Sequence, residues 1–322
     1  MSDIAFSYLV VIPRLILRNA NAISSPLTHG FPSITAFLGL MWALERKLKQ
    51  AGMDIPLNAI GVVCHDHNEQ VSDGGFIKTF RLTRNPVDKT GKTAAIVEEG
   101  RINLDISLVF AVNPKSWRDE YPRAIADVLA CMRIAGGSIY PPEKPWLRRY
   151  LPWAVPMKGS EADREHEFKH VCRKLLPGFA LVSRDDLLER RLLDLQQKNP
   201  KASRLDAWLS LSRINWCYEA KADDGKGAWQ HDRVGIGWIV PIPVGYGALG
   251  ELHPAGAVAN ARDSYTPFCF VESLYSLGEW VAPHHLKSSA DLLWYADSQP
   301  EDGLYRCRNN YSFNSNNPIH RD

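Results

Sequence analysis

The chain has 322 residues and could hold one large domain or two ordinary ones around a sizeable core. With 45% hydrophobic and 23% charged residues it reads as a soluble globular protein, and the net charge of +2 says little by itself. No apolar run approaches the roughly 18–20 residues that span a bilayer and no signal peptide is evident, so no membrane role is expected and the cytoplasm is the expected compartment.

From the N-terminus, Phe6 to Leu17 is rich in β-branched and aromatic residues and reads as a strand. A polar segment, Asn19 to Ser33, follows. Ser33 to Gln50 then places Phe37, Leu40, Met41, Leu44 and Leu48 at helical spacing, with Arg46, Lys47 and Lys49 near a C-terminus closed by Gly52. Ala59 to His65 and Ile102 to Val112 read as strands. Pro122 to Ile134 reads as a helix with Pro in its first turn and Gly136-Gly137 past its end, and Ser138-Ile139-Tyr140 opens a further strand. The order β-α-β, insertion, β-α-β is the ferredoxin-like pattern, shared by RNA-recognition (RRM-like) domains and many metabolic ones.

The insertion, about 68–100, is too long for a simple turn and reads as a projecting β-hairpin carrying Lys78, Arg81, Arg84, Lys89, Lys92 and, beside it, Arg101. Such an arm suits a polyphosphate chain, and a solvated surface hairpin explains the same residues. From Pro141 the texture changes. Prolines 141, 142, 145, 152 and 156 mark a linker-like stretch. Helices are expected over Glu161 to Leu176, Asp185 to Gln197 and Leu205 to Ile214, strands near Gly237 to Pro243 and Phe268 to Val271, and a helix over Pro283 to Tyr295. Residues 143–213 hold 15 Lys and Arg against 10 Asp and Glu, a local basic excess that fits a phosphate-facing surface or solvated helix faces equally. Trp146, Trp153, Trp208, Trp216 and Trp229 crowd this region, as a partner face or a local core would require. The expected architecture is α+β. A palm over 1–140 carries the hairpin thumb, 141–235 is a helical accessory region, 236–307 completes the core, and 308–322 is a polar tail.

The segment Asn19 to Ser33 carries almost no charge. Its Asn, Ser, Thr and His side chains supply neutral donors and acceptors and Phe31 supplies a ring, the parts needed to read unstacked single-stranded bases. A plain loop ending in the Ser33 helix cap is the competing reading. His65-Asp66-His67-Asn68-Glu69 crowds imidazole and carboxylate, and His65 and His67 share a face of an extended strand, yet no second HxH or HxxxH/D cluster completes a metal site. GxSxG, P-loop, GxGxxG and HExxH motifs are absent, and the six cysteines form no CxxC pair. No enzyme chemistry, metal or cofactor is expected.

Nine ordered blocks carry a resemblance. They are NANAISSPLT (19–28), GFPS (30–33), TRNP (83–86), TAAIVEEGR (93–101), MRIAGGSI (132–139), LLPGFALVSR (175–184), GWIVPIPVGY (237–246), NARD (260–263) and DLLWY (291–295). Together they resemble the Csy-two family, the Cas-five-type component of the type I-F CRISPR surveillance complex. The resemblance runs from the first strand to the last helix. It implies a non-catalytic subunit that holds the 5′ handle of the CRISPR RNA, pairs with the large Csy-one (Cas-eight-type) subunit, abuts a Cas-seven-type backbone subunit and helps clamp target duplex near the protospacer-adjacent motif. Guide pairing would then read the target sequence. On the matching positions, Asn19, Asn21, Ser24, Ser25, His29 and Phe31 become handle-contact candidates. Arg84, Asn85, Arg101, Arg133, Gly136, Gly137 and Ser138 follow beside them, and Asn260 and Arg262 face RNA or a partner. Two rival readings are an endoribonuclease that processes precursor guide RNA through a His base and a structural partner with little RNA contact.

Overall fold

The computed structural model of the chain describes residues 4–84, 86–87, 90–220 and 227–311. Asn85 and the segment from 312 onward lie outside the described residues. In chain order the first half runs β1 (Tyr8–Asn21), β2 (Ile23–Ser25), β3 (Thr28–His29), α1 (Ile34–Gln50), β4 (Leu57–Glu69), β5 (Val71–Asp73), β6 (Lys78–Thr83), β7 (Val97–Glu99), β8 (Arg101–Val112), α2 (Tyr121–Ala130), β9 (Arg133–Ile134) and β10 (Gly137–Tyr140). The second half runs β11 (Trp153–Pro156), α3 (Glu161–Lys174), β12 (Phe179–Ser183), α4 (Asp185–Lys198), α5 (Arg204–Leu211), β13 (Trp216–Ala220), β14 (Gly227–His231), β15 (Ile239–Ala248), β16 (Val271–Val281), α6 (Ser289–Leu292), β17 (Trp294–Gln299) and β18 (Leu304–Asn309).

β1 owes its length to burial on both faces. Val10 and Ile12 enter the core under α1 and α2, while Leu9 and Val11 enter a second core on the opposite face with Phe168, Val171 and Cys172 of α3. Pro13 and Arg14 sit in an irregularity where the β1–β8 register slips between Ile12 and Leu15, and Arg14 has φ +53°. A bulge accommodates a proline, which has no N–H for the ladder. α1 begins at Ser33, whose hydroxyl accepts from the Thr35 N–H at 3.3 Å, and buries Ile34, Phe37, Leu38, Leu40, Met41, Leu44 and Leu48 against the sheet. Each such large side chain contributes roughly 1.5–3 kcal/mol of burial free energy.

The described residues form an eleven-stranded sheet and six α-helices. Its central neighbours are β4, β8, β1 and β10, every adjacent pair antiparallel, so β1 and β4 run the same way with β8 between them. On the far side, β12, β16, β15, β18 and β17 follow one another, and both ends of this run pair with β4. β12 meets Val63 and Cys64, and β17 meets Ile60. The sheet thereby closes a six-stranded ring through β4.

Four segments differ from the sequence expectations. The helix expected over Pro122 to Ile134 ends at Ala130, because Arg133 and Ile134 pair with β10 as β9. The insertion after β4 is a three-stranded sheet, β5-β6-β7, rather than a single hairpin, because Val71–Asp73 folds back on Lys78–Thr83 before β7 joins the other edge. The proline-rich stretch contains β11, which pairs Trp153 to Pro156 with Val11 to Tyr8 at the β1 edge. The expected helix over Pro283 to Tyr295 shrinks to a 3-10 turn and the four-residue α6, closed at its start by a Ser288–Asp291 capping box. Trp294 and Tyr295 instead open the β17–β18 hairpin, and the Trp294 indole, fully buried, donates to the Leu181 carbonyl at 2.8 Å. Burial of that indole with its N–H satisfied outweighs the local helical pattern. The tryptophans divide likewise: Trp208 is buried with its indole on the Ser276 carbonyl at 3.0 Å, whereas Trp146, Trp216 and Trp229 are exposed. Among the described residues no helix is long and apolar enough to cross a membrane.

Candidate functional site

The polar segment is a shaped strap across the end of the sheet. Its backbone is pinned at three points: the Asn21 N–H donates to the Ala135 carbonyl at 2.8 Å, the Ala22 N–H to Gly100 at 3.0 Å, and the Gly30 N–H to Ala22 at 2.8 Å. The Asn21 side chain brackets Ile23, donating to its carbonyl at 2.7 Å and accepting its N–H at 3.1 Å. Ser24 and Ser25 both place their hydroxyls on Thr28 Oγ1, at 2.7 and 2.6 Å, and Ser25 Oγ accepts the Leu27 N–H at 3.1 Å. These side chains therefore build the loop first. Asn21 keeps one amide N–H beyond those bonds, since a carboxamide carries two. Asn19, in the left-handed region at φ +57°, hands its N–H to Asn103 Oδ1 at 3.2 Å and accepts from Gln70 Nε2 at 2.6 Å.

The β9–β10 turn supports the strap from below. Ala135 and Gly136 both have positive φ, and Gly137 is buried so close to β1 that a β-carbon there would lie 2.8 Å from the Ala20 N and Cα. Arg133, exposed, stands opposite Ser138 in the ladder, and Ser138 in turn pairs with Arg18. The small sheet touches the strap too: the Phe80 ring meets His29 edge-on at 5.5 Å, and His29 Nδ1 lies 3.0 Å from Glu69. Arg101 is held by Glu99 at 2.8 Å, which keeps the Glu99 carboxyl below its usual range, and Arg84 donates to the Ala94 carbonyl at 2.7 Å. Asn260, at φ +60°, and Arg262 lie on the separate 249–270 connection between β15 and β16, both exposed. Asn85 lies outside the described residues.

Two aromatic clefts flank the strap, and Ser24 lines both. The first, about 420 Å³, runs between Asn21, Ser33 and Trp42 on one side and Tyr246 and Tyr305 on the other. Those two tyrosine rings are nearly parallel, 14° apart with centroids at 6.3 Å. The second, about 450 Å³, lies between His29, Phe31 and Pro32 and the walls Phe179, Trp238 and Trp280, with His65, Asp66, His67 and Glu69 along one edge. Phe31 is half-buried. It stacks on Phe37 at 5.6 Å and meets Trp280 edge-on at 4.9 Å, so its ring is part of the cleft wall. Clefts of this size, apolar with a few convergent polar groups, fit single planar ligands such as bases.

The walls Trp42, Phe179, Trp238, Tyr246, Trp280 and Tyr305 escape a sequence reading that looks for function in loops. One signal was available: Trp42 falls outside the apolar stripe of α1 and remains 38% exposed.

Both ring nitrogens of His65 are engaged within the fold. Its Nδ1–H donates to the Pro177 carbonyl at 2.6 Å and its Nε2 accepts from Ser107 Oγ at 2.6 Å, while that Ser107 oxygen accepts the Arg14 N–H at 3.1 Å. Burial lowers the His65 pKa, so the ring is neutral at pH 7 and both nitrogens are occupied. Among the described residues no group of three or more His, Cys, Asp and Glu side chains could hold a metal ion.

Residues 10–307 match the family model of the CRISPR-associated protein Cas_Csy2. The chain is also 45% identical over 313 residues to the CRISPR-associated protein Csy2 of Pseudomonas aeruginosa (strain UCBPP-PA14), covering 92% of this chain and 94% of that one.

Proposed function

The chain belongs to the CRISPR-associated Csy2 family, and from that premise we propose that it is the non-catalytic guide-RNA subunit of a type I-F surveillance complex. In this reading the β1-α1-β4-β8-α2-β10 unit is a ferredoxin-like palm, and the strap Asn19 to Ser33 with its two aromatic clefts receives splayed bases of the CRISPR RNA 5′ handle. The observation that carries the reading is the strap itself, a preformed, uncharged loop with aromatic walls on both sides. Each base that stacks there contributes roughly 1–3 kcal/mol. The large Csy-one subunit, a Cas-seven-type backbone subunit and target duplex near the protospacer-adjacent motif are the partners, and exposed Trp216, Tyr218 and Trp229 on the β13–β14 hairpin suit a protein interface.

The test is co-expression with a tagged large subunit and a guide RNA, followed by pull-down and nucleic-acid analysis. A stoichiometric heterodimer carrying guide RNA is expected. Asn21→Ala/Ser25→Ala removes the bonds that shape the strap and should cut RNA retention at least tenfold, the equivalent of one lost stacking contact. Full retention by a folded double variant would move the handle site elsewhere. Precursor RNA mixed with the purified chain should remain uncut with and without chelator, and cleavage abolished by His29→Ala or His65→Ala would restore the ribonuclease reading.

A further inference from the structure

On the sheet face opposite α1 and α2 lies a third cavity, about 770 Å³, which meets the second aromatic cleft only at His65. Its rim is built by three separate parts of the chain. The β1 bulge presents Arg14, the 3-10 turn Arg148–Tyr150 presents Arg148 and Arg149, and the last turn of α3 presents Lys174. No Asp or Glu lines it. Arg14 is anchored from behind by Asp105 at 2.9 Å, which fixes the guanidinium while leaving most of its N–H groups free. Arg148, Arg149 and Lys174 form no ion pair among the described residues. Lys174 Nζ sits 4.3 Å from the centroid of Trp153, and Arg149 lies over Tyr150 at 4.7 Å.

Four cations held around one concavity repel one another, and Asp105 offsets only Arg14, so the arrangement calls for an anion. Three features narrow its class. The charges come from three separate segments of the chain around one cavity, which suits a chain of phosphates better than a single ion. The guanidinium forks match phosphate oxygens. Trp153, Leu151, Leu176 and two prolines supply an apolar floor among the charges, as a base or sugar requires and an acidic peptide does not. The β11–β1 pairing explains why the site exists: it draws the proline-rich stretch along β1 just before the bulge, so that Arg148 and Arg149 line the same cavity as Arg14.

We infer that this cavity binds the phosphodiester backbone of a single-stranded polynucleotide, at a site separate from the strap. The inference stands on its own charges and does not rest on the handle-binding proposal. The measurement is fluorescence anisotropy of labelled oligouridylate and oligothymidylate with the full purified chain across a salt series. Arg148→Ala/Arg149→Ala, both exposed on a short turn, should weaken both probes about tenfold at low salt. The variant should also flatten the plot of log K against log salt by about 1.4, from about 0.7 for each of two lost phosphate contacts. Similar losses on the two probes mark recognition of the phosphate chain rather than the sugar. Unchanged affinity and slope in the folded variant would overturn the inference, as would a loss seen only with polyglutamate as the probe. The Asn21→Ala/Ser25→Ala variant, run alongside, should keep the full salt slope, so the two sites fail or survive independently.

Discussion

Gly137 lies against Ala20 so closely that the two backbones leave no room for a side chain, a β-carbon at 137 falling 2.8 Å from the Ala20 N and Cα. This contact ties the β9–β10 turn to the root of the strap, one residue before Asn21 hands its N–H to Ala135. The strap's shape is therefore set from outside the strap.

Gly137→Ala should cost about 1–3 kcal/mol through overpacking against backbone that cannot rotate away. It should also displace Asn21 and lower guide-RNA retention. Thermal unfolding and the pull-down read the two effects. Wild-type stability with wild-type retention would show that the turn yields freely and that this contact does not shape the strap.

Arg184 and Glu279 form a buried ion pair, each side chain only 1% exposed, with Asp186 completing the arrangement at 2.8 Å. Burial pulls the Arg184 guanidinium down, but Asp186 and Glu279 outweigh it and hold its pKa above the usual value. Arg184→Met should destabilise the fold by about 3–5 kcal/mol, since the buried Glu279 carboxylate then loses the guanidinium that offsets its charge. Arg184→Met/Glu279→Leu should recover most of that loss. Equal unfolding midpoints for the single and double variants would show that the penalty is packing rather than charge.

His65 makes stability depend on pH in a stated direction. Its folded pKa lies below the usual 6.5, chiefly because burial disfavours the imidazolium. Above pH 6.5 both folded and unfolded rings are neutral and its contribution is whole. As the pH falls below 6.5 the unfolded ring takes up a proton first, so stability declines until the folded ring also protonates. Denaturant unfolding at pH 7.5 and 5.5 should show this loss in the wild type and a smaller one in His65→Gln. An identical pH dependence in the two would assign the effect to other groups.

Much of this architecture is local in origin and legible without coordinates. The α1 stripe from Phe37 to Leu48, its Ser33 cap and the Gly52 stop depend on neighbours within a few turns, and the β-branched run of β1 announces a strand. The nine blocks, likewise, identified the family before any strand was paired. Other features come from contacts between residues far apart in the chain, which no local pattern encodes. Trp294 left a helical-looking stretch for a strand because the Leu181 carbonyl, 113 positions away, waits for its indole N–H. The proline-rich stretch became β11 because the β1 edge was open to it, and only that pairing gathered Arg14, Arg148, Arg149 and Lys174 around one cavity. The strap's residue types were visible in the sequence. That its hydroxyls and amides turn inward to hold its shape, leaving tryptophans and tyrosines from α1, β15, β16 and β18 as the walls beside it, was decided by closure of the sheet. Register and burial set which side of each strand faces the strap, and those are properties of the assembled fold.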